Sequence, residues 1–277
     1  MTLIPETPSA LRLTPISRLA AGGRWRVEAM RSLREPVLLW FTQGQGRITV
    51  AGTTRGYGPH QAVFIPPGVM HGFEVAPRVQ GSAVFFGRAH GLDLPGQPQY
   101  LRPRDPISQK ELIAILESIQ RELESARPGS QKAAQHHLGL LGVWLDRQME
   151  REKAFEPLSA RPQAAQKLAA RYAALLERDF RSNRAVADFA EALGVTPTHL
   201  TRACRTTCGK GAHQILEDRI LFEARRLLCE TSLPIKHVAE ALGFNSAGYF
   251  TRAFQKSAGL TPSAFRKKPG TAVIPRT

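Results

Sequence analysis

The chain has few cysteines and no long apolar run. Its three cysteines, Cys204, Cys208 and Cys229, form no C-x-x-C pair and make an odd number, so the sequence favours neither a disulfide framework nor a zinc ribbon. No stretch of about eighteen apolar residues occurs, and the N-terminus lacks a charged segment followed by an apolar one. We therefore expect a cytoplasmic protein that does not interact with membranes.

Acidic residues are also scarce. The 277 residues include 23 Asp and Glu against 38 Lys and Arg, a net charge of +15. The excess is largest in residues 157–277, which carry 19 Lys and Arg against 9 Asp and Glu. Because neutralising phosphates releases condensed counterions, a basic domain is a natural partner of nucleic acid.

What the sequence does contain is a pair of short helices around a tight turn, in residues 235–266. Val238, Ala239 and Leu242 follow helical spacing and lead to Gly243, which can adopt the left-handed conformation that ends a helix. A second helix follows at once, and either Asn245 or Ser246 can cap it. Its apolar face is formed by Tyr249, Phe250, Ala253 and Phe254. This arrangement is typical of a helix-turn-helix.

The same pattern occurs a second time in the chain. Residues 186–194 match residues 235–243 at an offset of 49, including an identical AEALG, and residues 201–203 match residues 251–253 at an offset of 50. Core packing alone does not explain a repeat that keeps the apolar positions, the turn glycine and an outward arginine. The sequence therefore predicts two helix-turn-helix units, near 184–208 and 234–258.

The second unit resembles the AraC/XylS family of bacterial transcription regulators. The residues that carry the resemblance are Ile235, Ala239, Gly243, Phe244, Tyr249, Phe250, Arg252, Phe254, Gly259, Pro262 and Arg266. The resemblance implies an all-α DNA-binding domain in residues 157–277 and a sequence-specific transcription regulator. Its implied partners are double-stranded promoter DNA, RNA polymerase and a small-molecule effector.

A helix-turn-helix inserts its second helix into the major groove, and two units on one connector can read successive grooves about 34 Å apart. Arg202 matches the family position that commonly reaches bases or nearby phosphates. Ala247 and Gly248 stand where relatives often have longer side chains, so we expect more direct base readout from the first unit. The candidate DNA-binding residues are Thr198, Thr201, Arg202, Arg205, Asn245, Ser246, Tyr249 and Arg252.

Short β-like runs separated by Gly and Pro follow an N-terminal arm, residues 1–23, whose prolines disfavour a regular helix. The predicted strands are 25–30, 37–42, 47–50, 62–65, 73–75 and 82–86. Their spacing favours a small antiparallel barrel or a double-sheet roll. Segments 44–48 and 65–71 resemble a cupin, the domain that many AraC-like regulators have at their N-terminus.

The metal-binding form of a cupin needs two histidines one residue apart on an early strand. Here no histidine precedes His60, and His71 alone matches a cupin ligand position. We therefore expect no catalytic residues, no metal and no cofactor. His71 is either a hydrogen-bonded residue of the barrel wall or a contact to a small ligand. If a small molecule binds in the barrel, the candidate effector-binding residues are Arg26, Trp40, His71 and Phe73.

Two helices are predicted after a Gly/Pro-rich connector, residues 89–106. Apolar side chains step by four, three and four residues along the first helix and form one stripe on the second. These residues are Leu112, Leu116, Ile119 and Leu123, then Leu138, Leu141, Leu145 and Met149. In AraC-like regulators such helices commonly dimerise the protein, and the alternative is that they only cover the barrel. We expect a homodimer.

The expected fold class is therefore α+β with two domains: a cupin-like β-barrel with a helical hairpin, and an all-α domain with two helix-turn-helix units. The arm and sensor domain occupy residues 1–104, the hairpin and linker 105–156, and the DNA-binding domain 157–277. Two alternative functions are a regulator whose N-terminal domain only oligomerises or binds a protein, and a cupin enzyme fused to a DNA-binding domain.

Overall fold

The N-terminal domain is built from short strands in a computed structural model that describes residues 10–21, 23–155 and 163–267. Two short helices, α1 (Ile16–Leu19) and α2 (Trp25–Glu28), lie near its start. The strands are β1 (Arg12–Pro15), β2 (Val37–Gln43), β3 (Gly46–Val50), β4 (Thr53–Tyr57), β5 (Gln61–Ile65), β6 (His71–Phe73), β7 (Gln80–Phe85) and β8 (Gln99–Leu101).

These strands form two antiparallel sheets. Five strands pair in the order β1-β7-β2-β5-β8, and three pair in the order β4-β3-β6. No ladder joins the two sheets within the described residues, so the barrel expected from the sequence is not closed. The edges at β6 and β8 are partly covered instead, which hinders further strand pairing there. Arg31 forms a two-bond backbone bridge to His71 in β6, and Glu152 accepts the backbone N–H of Arg102, just after β8, at 2.7 Å.

A helical hairpin forms the third layer of this domain. It consists of α3 (Pro106–Glu124) and α4 (Ser130–Phe155). The carboxylate of Asp105 caps α3 by accepting the N–H of Ser108 at 2.7 Å, and the Trp144 indole donates to the Ser108 carbonyl at 3.0 Å. Helix α4 extends to Phe155, so it takes up most of the second half of the segment 105–156 expected to hold the hairpin and linker. Residues 156–162 lie outside the described residues.

Strand β2 shows why the layers assemble in this order. Its residues Val37, Leu39 and Phe41 are buried against the three-stranded sheet, and Leu38 and Trp40 are buried against α3 and α4. Because both faces are covered, the strand is a continuous apolar run and not an alternating one. The predicted stripe on α3 is buried in the same helix-to-sheet core, except for Leu123, which is 37% exposed.

Four sequence-based predictions differ from the structure. Residues 25–30 were expected to form a strand, but Trp25–Glu28 is helix α2. Strand β1 lies inside the expected arm, where it pairs with β7. Strand β8 lies inside the expected connector, where it pairs with β5. Strand β4, which contains Arg55 and Gly56, was not expected and pairs with β3.

The described part of the C-terminal domain, residues 163–267, contains helices and no strand. Its helices are α5 (Ala164–Asp179), α6 (Val186–Ala192), α7 (Pro197–Cys208), α8 (Ala212–Glu230), α9 (Ile235–Ala241), α10 (Ala247–Ala258) and α11 (Pro262–Lys267). All seven contribute to one apolar core. Of the helices in the described ranges, none is both long enough and apolar enough to cross a bilayer.

A buried ion-pair network fixes α8 against α5. Arg219 of α8 donates to both carboxylate oxygens of Glu177 at 2.7 and 2.8 Å. Glu223 accepts hydrogen bonds from Arg219, Arg226 and Arg181. Burial raises the pKa of Glu223, but the hydrogen bonds and charges of these arginines outweigh it and hold that pKa well below its usual range. The carboxylate therefore stays ionised where it is paired on several sides.

The two domains touch through an apolar contact. Trp25 of α2 packs with its ring centroid 5.6 Å from that of Phe222 in α8 and 6.2 Å from that of Phe265 in α11. Met30 and Met70 are buried in the same core as the C-terminal helices. The N-terminal domain is thus packed directly on the helix that connects the two helix-turn-helix units.

Candidate nucleic-acid interface

The first helix-turn-helix unit consists of α6 and α7. Gly194 has φ of +72° in the turn that follows α6, and the Thr196 hydroxyl caps α7 by accepting the N–H of His199 at 3.2 Å. Pro197 occupies the first turn of α7, and Gly209 ends that helix in the left-handed conformation. The start of α7 thus has residues suited to its free backbone N–H groups, and its end has a glycine that can terminate the helix.

Helix α7 separates its side chains into a buried face and an exposed face. Leu200, Ala203 and Cys204 are buried, and burial raises the pKa of the Cys204 thiol to about 12, so this cysteine behaves as a small apolar residue. On the opposite face a shallow groove of about 440 Å³ is lined by Pro197, Thr198, Thr201, Arg202 and Arg205. The structure therefore brings the four candidate residues of the first unit together.

The second unit, α9 and α10, repeats this arrangement. Gly243 has φ of +80°, and Ser246 is the residue that caps α10, since its hydroxyl accepts the N–H of Tyr249 at 3.1 Å. Tyr249 is 59% exposed, and Asn245 and Arg252 are also exposed. The candidates of the second unit thus lie at the start and on the outer face of α10, while Phe250 and Phe254 are buried.

The arginines of both recognition helices are available to a partner. Among the described residues, the guanidinium groups of Arg202 and Arg252 form no ion pair and no side-chain hydrogen bond. Neither arginine is therefore used to stabilise the domain. An exposed guanidinium can make a bidentate pair with guanine or bind phosphate.

Two further arginines have structural roles that the sequence did not reveal. Arg266 donates to the carbonyls of Leu228 at 3.2 Å and Leu233 at 2.6 Å, which ties α11 to the turn between α8 and α9. Arg184 donates to Asp179 at 2.9 Å and to the carbonyl of Asp188 at 3.2 Å. The sequence indicated only that Arg266 is one of the residues that match the AraC/XylS pattern, and not what its side chain contacts.

The four candidate effector residues do not share one location. The Arg26 guanidinium lies 4.8 Å from the Trp25 ring centroid and 3.9 Å from a Glu230 carboxylate oxygen, between the domains. Trp40 faces α3 and α4, whereas Phe73 is buried between the sheets. Trp40 and Phe73 therefore lie in different cores. The sequence did not distinguish the two faces of β2, because both are apolar and alternation gives no direction there.

His71 is a buried wall residue. Its imidazole lies 2.9 Å from the carbonyl of Val69. Burial lowers the pKa of His71 to about 3, and the nearby Arg31 guanidinium acts in the same direction. The ring is therefore neutral at ordinary pH. In the part of the chain that the structure describes, no group of three or more His, Cys, Asp or Glu is placed to hold a metal ion.

Known proteins match the C-terminal domain in particular. A family model described as a helix-turn-helix domain matches residues 189–268. The chain is 37% identical over 78 residues to the HTH-type transcriptional regulator GlxA of Rhizobium meliloti, which covers 28% of this chain and 24% of that protein. It is 34% identical over 85 residues to the arabinose operon regulatory protein of Escherichia coli, with 31% and 29% covered. The chain thus spans less than a third of the length of both relatives.

A solved structure extends over more of the chain. Unsaturated fatty acid-bound wild-type ToxT from Vibrio cholerae is similar over 98% of this chain and 100% of its own, with 12% identity and a TM-score of 0.45. Together, the fold and the exposed recognition helices define a DNA-binding domain with two helix-turn-helix units. The matched relatives are transcription regulators, and the C-terminal domain of this chain is similar to part of each.

Proposed function

We propose that this chain is a sequence-specific transcription regulator that reads two successive major grooves of promoter DNA. The proposal rests on one observation: both recognition helices, α7 and α10, pack against the same helix, α8. Both helices expose polar and cationic side chains, and both bury their apolar faces in one core. Such a rigid pair suits two grooves on one face of the duplex, about 10 base pairs apart.

The two helices would make different contacts. Helix α7 offers Thr198, Thr201, Arg202 and Arg205 along one groove, a set that can donate to both base edges and phosphates. In α10 the Ser246 hydroxyl is used as a cap, and the next two positions are Ala247 and Gly248. The second unit would therefore bind mainly through the DNA backbone and DNA shape.

The N-terminal domain would be a cupin-like sensor that responds to a small molecule. Two facing antiparallel sheets enclose an apolar interior, and this domain packs on α8 through Trp25. A ligand that changes the N-terminal domain would therefore act directly on the helix that positions both recognition helices. The alternative, a domain that only oligomerises, predicts that no small molecule alters DNA affinity.

Homodimerisation would use the outer surface of the hairpin. Although α3 and α4 cover the five-stranded sheet, they also expose large apolar side chains: Ile107 at 79%, Ile113 at 38%, Leu140 at 53% and Val143 at 45%. Exposed apolar surface of this kind is typical of interaction sites. As a promoter-bound regulator, the dimer would act in the cytoplasm and contact RNA polymerase.

Selection of bound sequences from a random duplex pool by the full chain, near physiological salt, tests the proposal. We expect enrichment of paired motifs about 10 base pairs apart. The double variant Arg202→Ala, Arg252→Ala should lose this enrichment. A matched control, Arg78→Ala with Arg121→Ala, removes the same charge from two exposed sites of the N-terminal domain and should retain it. Enrichment that survives in the first double variant would contradict recognition through α7 and α10.

A further inference from the structure

A groove of about 540 Å³ opens at the edge of the N-terminal domain, between β4, β5, β8 and the end of α4. This volume lies within the roughly 300–1,000 Å³ usual for small-molecule sites. The groove lies apart from the recognition helices. It is also not lined by the four effector candidates that the sequence suggested.

The rim of the groove is cationic. Arg55, Arg102 and Arg104 line it together with one carboxylate, that of Glu152. One oxygen of Glu152 is already engaged by the backbone N–H of Arg102 at 2.7 Å. Within the described residues, the guanidinium groups of Arg55 and Arg102 form no ion pair. The groove therefore has an excess of positive charge that its own acidic group does not neutralise.

Aromatic side chains form one wall of the groove. The Arg55 guanidinium lies 4.3 Å from the Tyr100 ring centroid, a cation–π contact that orients the cation. Tyr57 is stacked on Phe41 with centroids 3.9 Å apart, and its hydroxyl donates to the carbonyl of Glu74. Burial raises the pKa of both tyrosines to about 12, so neither adds negative charge at ordinary pH.

Apolar residues complete the lining. Ala62, Val63 and Leu101 line the groove and are buried. A convergent set of cations beside an aromatic and aliphatic wall matches a ligand with one anionic group and an apolar body. A metal ion does not fit this set, because its charge would repel the three arginines.

We propose that this groove binds a small organic anion, whose carboxylate or phosphate group lies between Arg55 and Arg102 and whose apolar body lies along Tyr100 and Val63. The inference rests on the proposed function, because it names the site and ligand class of the sensor domain. The carboxylate and the phosphate share the same recognition chemistry, which is a planar guanidinium donating two hydrogen bonds.

The position of the groove connects it to the DNA-binding domain. Strand β4, which carries Arg55, is in contact with α5 and α7. Just before β4, Gly52 is packed so closely on α5 that a Cβ there would lie 2.8 Å from the Ala169 carbonyl oxygen. An anion held by Arg55 thus lies one strand away from the first recognition helix. Any effect of the anion on DNA affinity must be matched by an equal effect of DNA on anion affinity.

The test measures the thermal stability and calorimetric affinity of the full chain with two anionic probes, benzoate and phenyl phosphate. Their neutral counterparts, benzamide and benzyl alcohol, serve as controls at matched ionic strength. We expect at least one anionic probe to raise Tm and the neutral compounds to leave it unchanged, because a ligand that binds the folded state stabilises it. The probe that binds distinguishes a carboxylate ligand from a phosphate ligand.

Variants localise the binding. Arg55→Met and Arg102→Met keep much of the side-chain volume. Each should lower the affinity for the anionic probe that binds by about tenfold or more. Arg78→Met, at an exposed arginine that does not line the groove, should not. The inference is overturned if neither anion raises Tm at about 10 mM, a concentration at which even weak binding is visible, or if both groove variants bind the probe like the unaltered chain.

DNA selection with the same proteins separates this inference from the proposed function. Loss of anion binding in Arg55→Met with unchanged DNA motifs supports the groove as a separate ligand site. If the groove variants lose DNA affinity and the anions do not bind, these arginines belong to the DNA interface and the inference fails alone. If the anion binds but no DNA motif is enriched, the regulator proposal fails while the anion site stands.

Discussion

Position decides what an arginine does in this molecule. The guanidinium of Arg266 is bound to two backbone carbonyls, so it is used to hold α11 in place. Arg202 is exposed on α7 beside Arg205 and two threonines, and is available to DNA. Truncating Arg266 would leave two carbonyls without their donor, whereas truncating Arg202 breaks no hydrogen bond or ion pair within the described residues. Loss of DNA binding is thus informative for Arg202 only.

A single buried histidine should make stability depend on pH. The pKa of His71 is lowered by burial to about 3 in the folded chain, against an ordinary value of about 6.5 in the unfolded chain. Between these values the unfolded state binds the extra proton, so stability is lost as pH falls from about 6.5 towards 3. His71→Asn removes this group, and we expect a shallower fall in unfolding free energy between about pH 6.5 and 4.5.

Urea denaturation at several pH values measures how the unfolding free energy changes with pH. For one group this slope cannot exceed about 1.4 kcal/mol per pH unit. His213→Asn is the matched control, since the His213 side chain is 74% exposed on α8. A slope that stays the same in His71→Asn would show that other groups dominate acid unfolding in this range.

Both helix-turn-helix elements contain the segment AEALG, but they differ in the space around its glycine. Gly194 and Gly243 have φ of +72° and +80°, and a Cβ at Gly194 would meet nothing within 4 Å. A Cβ at Gly243 would lie 2.3 Å from the Arg181 carbonyl oxygen. Gly194→Ala should therefore cost only the left-handed strain, about 1–2 kcal/mol. Gly243→Ala should cost about 1–3 kcal/mol more, because backbone must move.

Chemical denaturation of the two alanine variants compares these costs directly, with the unaltered chain as reference. Because the residues before both glycines are identical in the AEALG segment, the two sites are good controls for each other. Equal destabilisation would mean that Arg181 and its loop adjust to the added methyl group at little cost.

The recognition helices should divide the reading of DNA unequally. Helix α7 presents four polar or cationic side chains in one groove, while α10 has Ala247 and Gly248 at its start and uses Ser246 as its cap. Base substitutions in the half-site bound by α7 should each cost about 1–3 kcal/mol, and those in the other half-site less. Affinities of the full chain for single-substituted duplexes at one fixed salt concentration measure this. Equal costs in both half-sites would contradict the division.

Sequence periodicity predicted the elements that have a clear apolar pattern and missed short or polar strands that depend on a partner. The α7 and α10 helices have their caps, turn glycines and apolar faces within one segment, so the sequence specifies them. Strand β8 has three residues and is held by its pairing with β5, and β4 contains Gly56 and Arg55, which disfavour a strand prediction. Because both strands line the groove at the domain edge, that site could not be predicted from the sequence.

The sequence also did not predict which way a side chain points where both faces of a strand are buried. In β2, Trp40 and Leu39 lie on opposite faces, and both are apolar and almost fully buried. Apolar alternation identifies an inner face only when the other face meets solvent. The prediction of a common ligand pocket for Trp40 and Phe73 required this missing information.

At the scale of the whole molecule, the contact of Trp25 with α8 and α11 joins the two domains. The ring packs on Phe222 and Phe265, and Arg225 lies 5.7 Å from its centroid. The Arg26–Glu230 pair lies beside it, with both side chains partly buried. Most of the binding energy should come from the aromatic contact, because partly exposed ion pairs contribute little.

Trp25→Ala should therefore separate the domains without unfolding either. Trp25 is half-buried, so the loss should be about 1–3 kcal/mol, below the usual cost of truncating a fully buried aromatic residue. We expect a larger radius of gyration in small-angle scattering and two resolved thermal transitions. Trp144→Phe, in the core between hairpin and sheet, is the control: it should lower the stability of the N-terminal domain and leave the radius of gyration unchanged. An unchanged radius in Trp25→Ala would assign domain docking to Met30, Met70 and the contact of β4 with α5 and α7 instead.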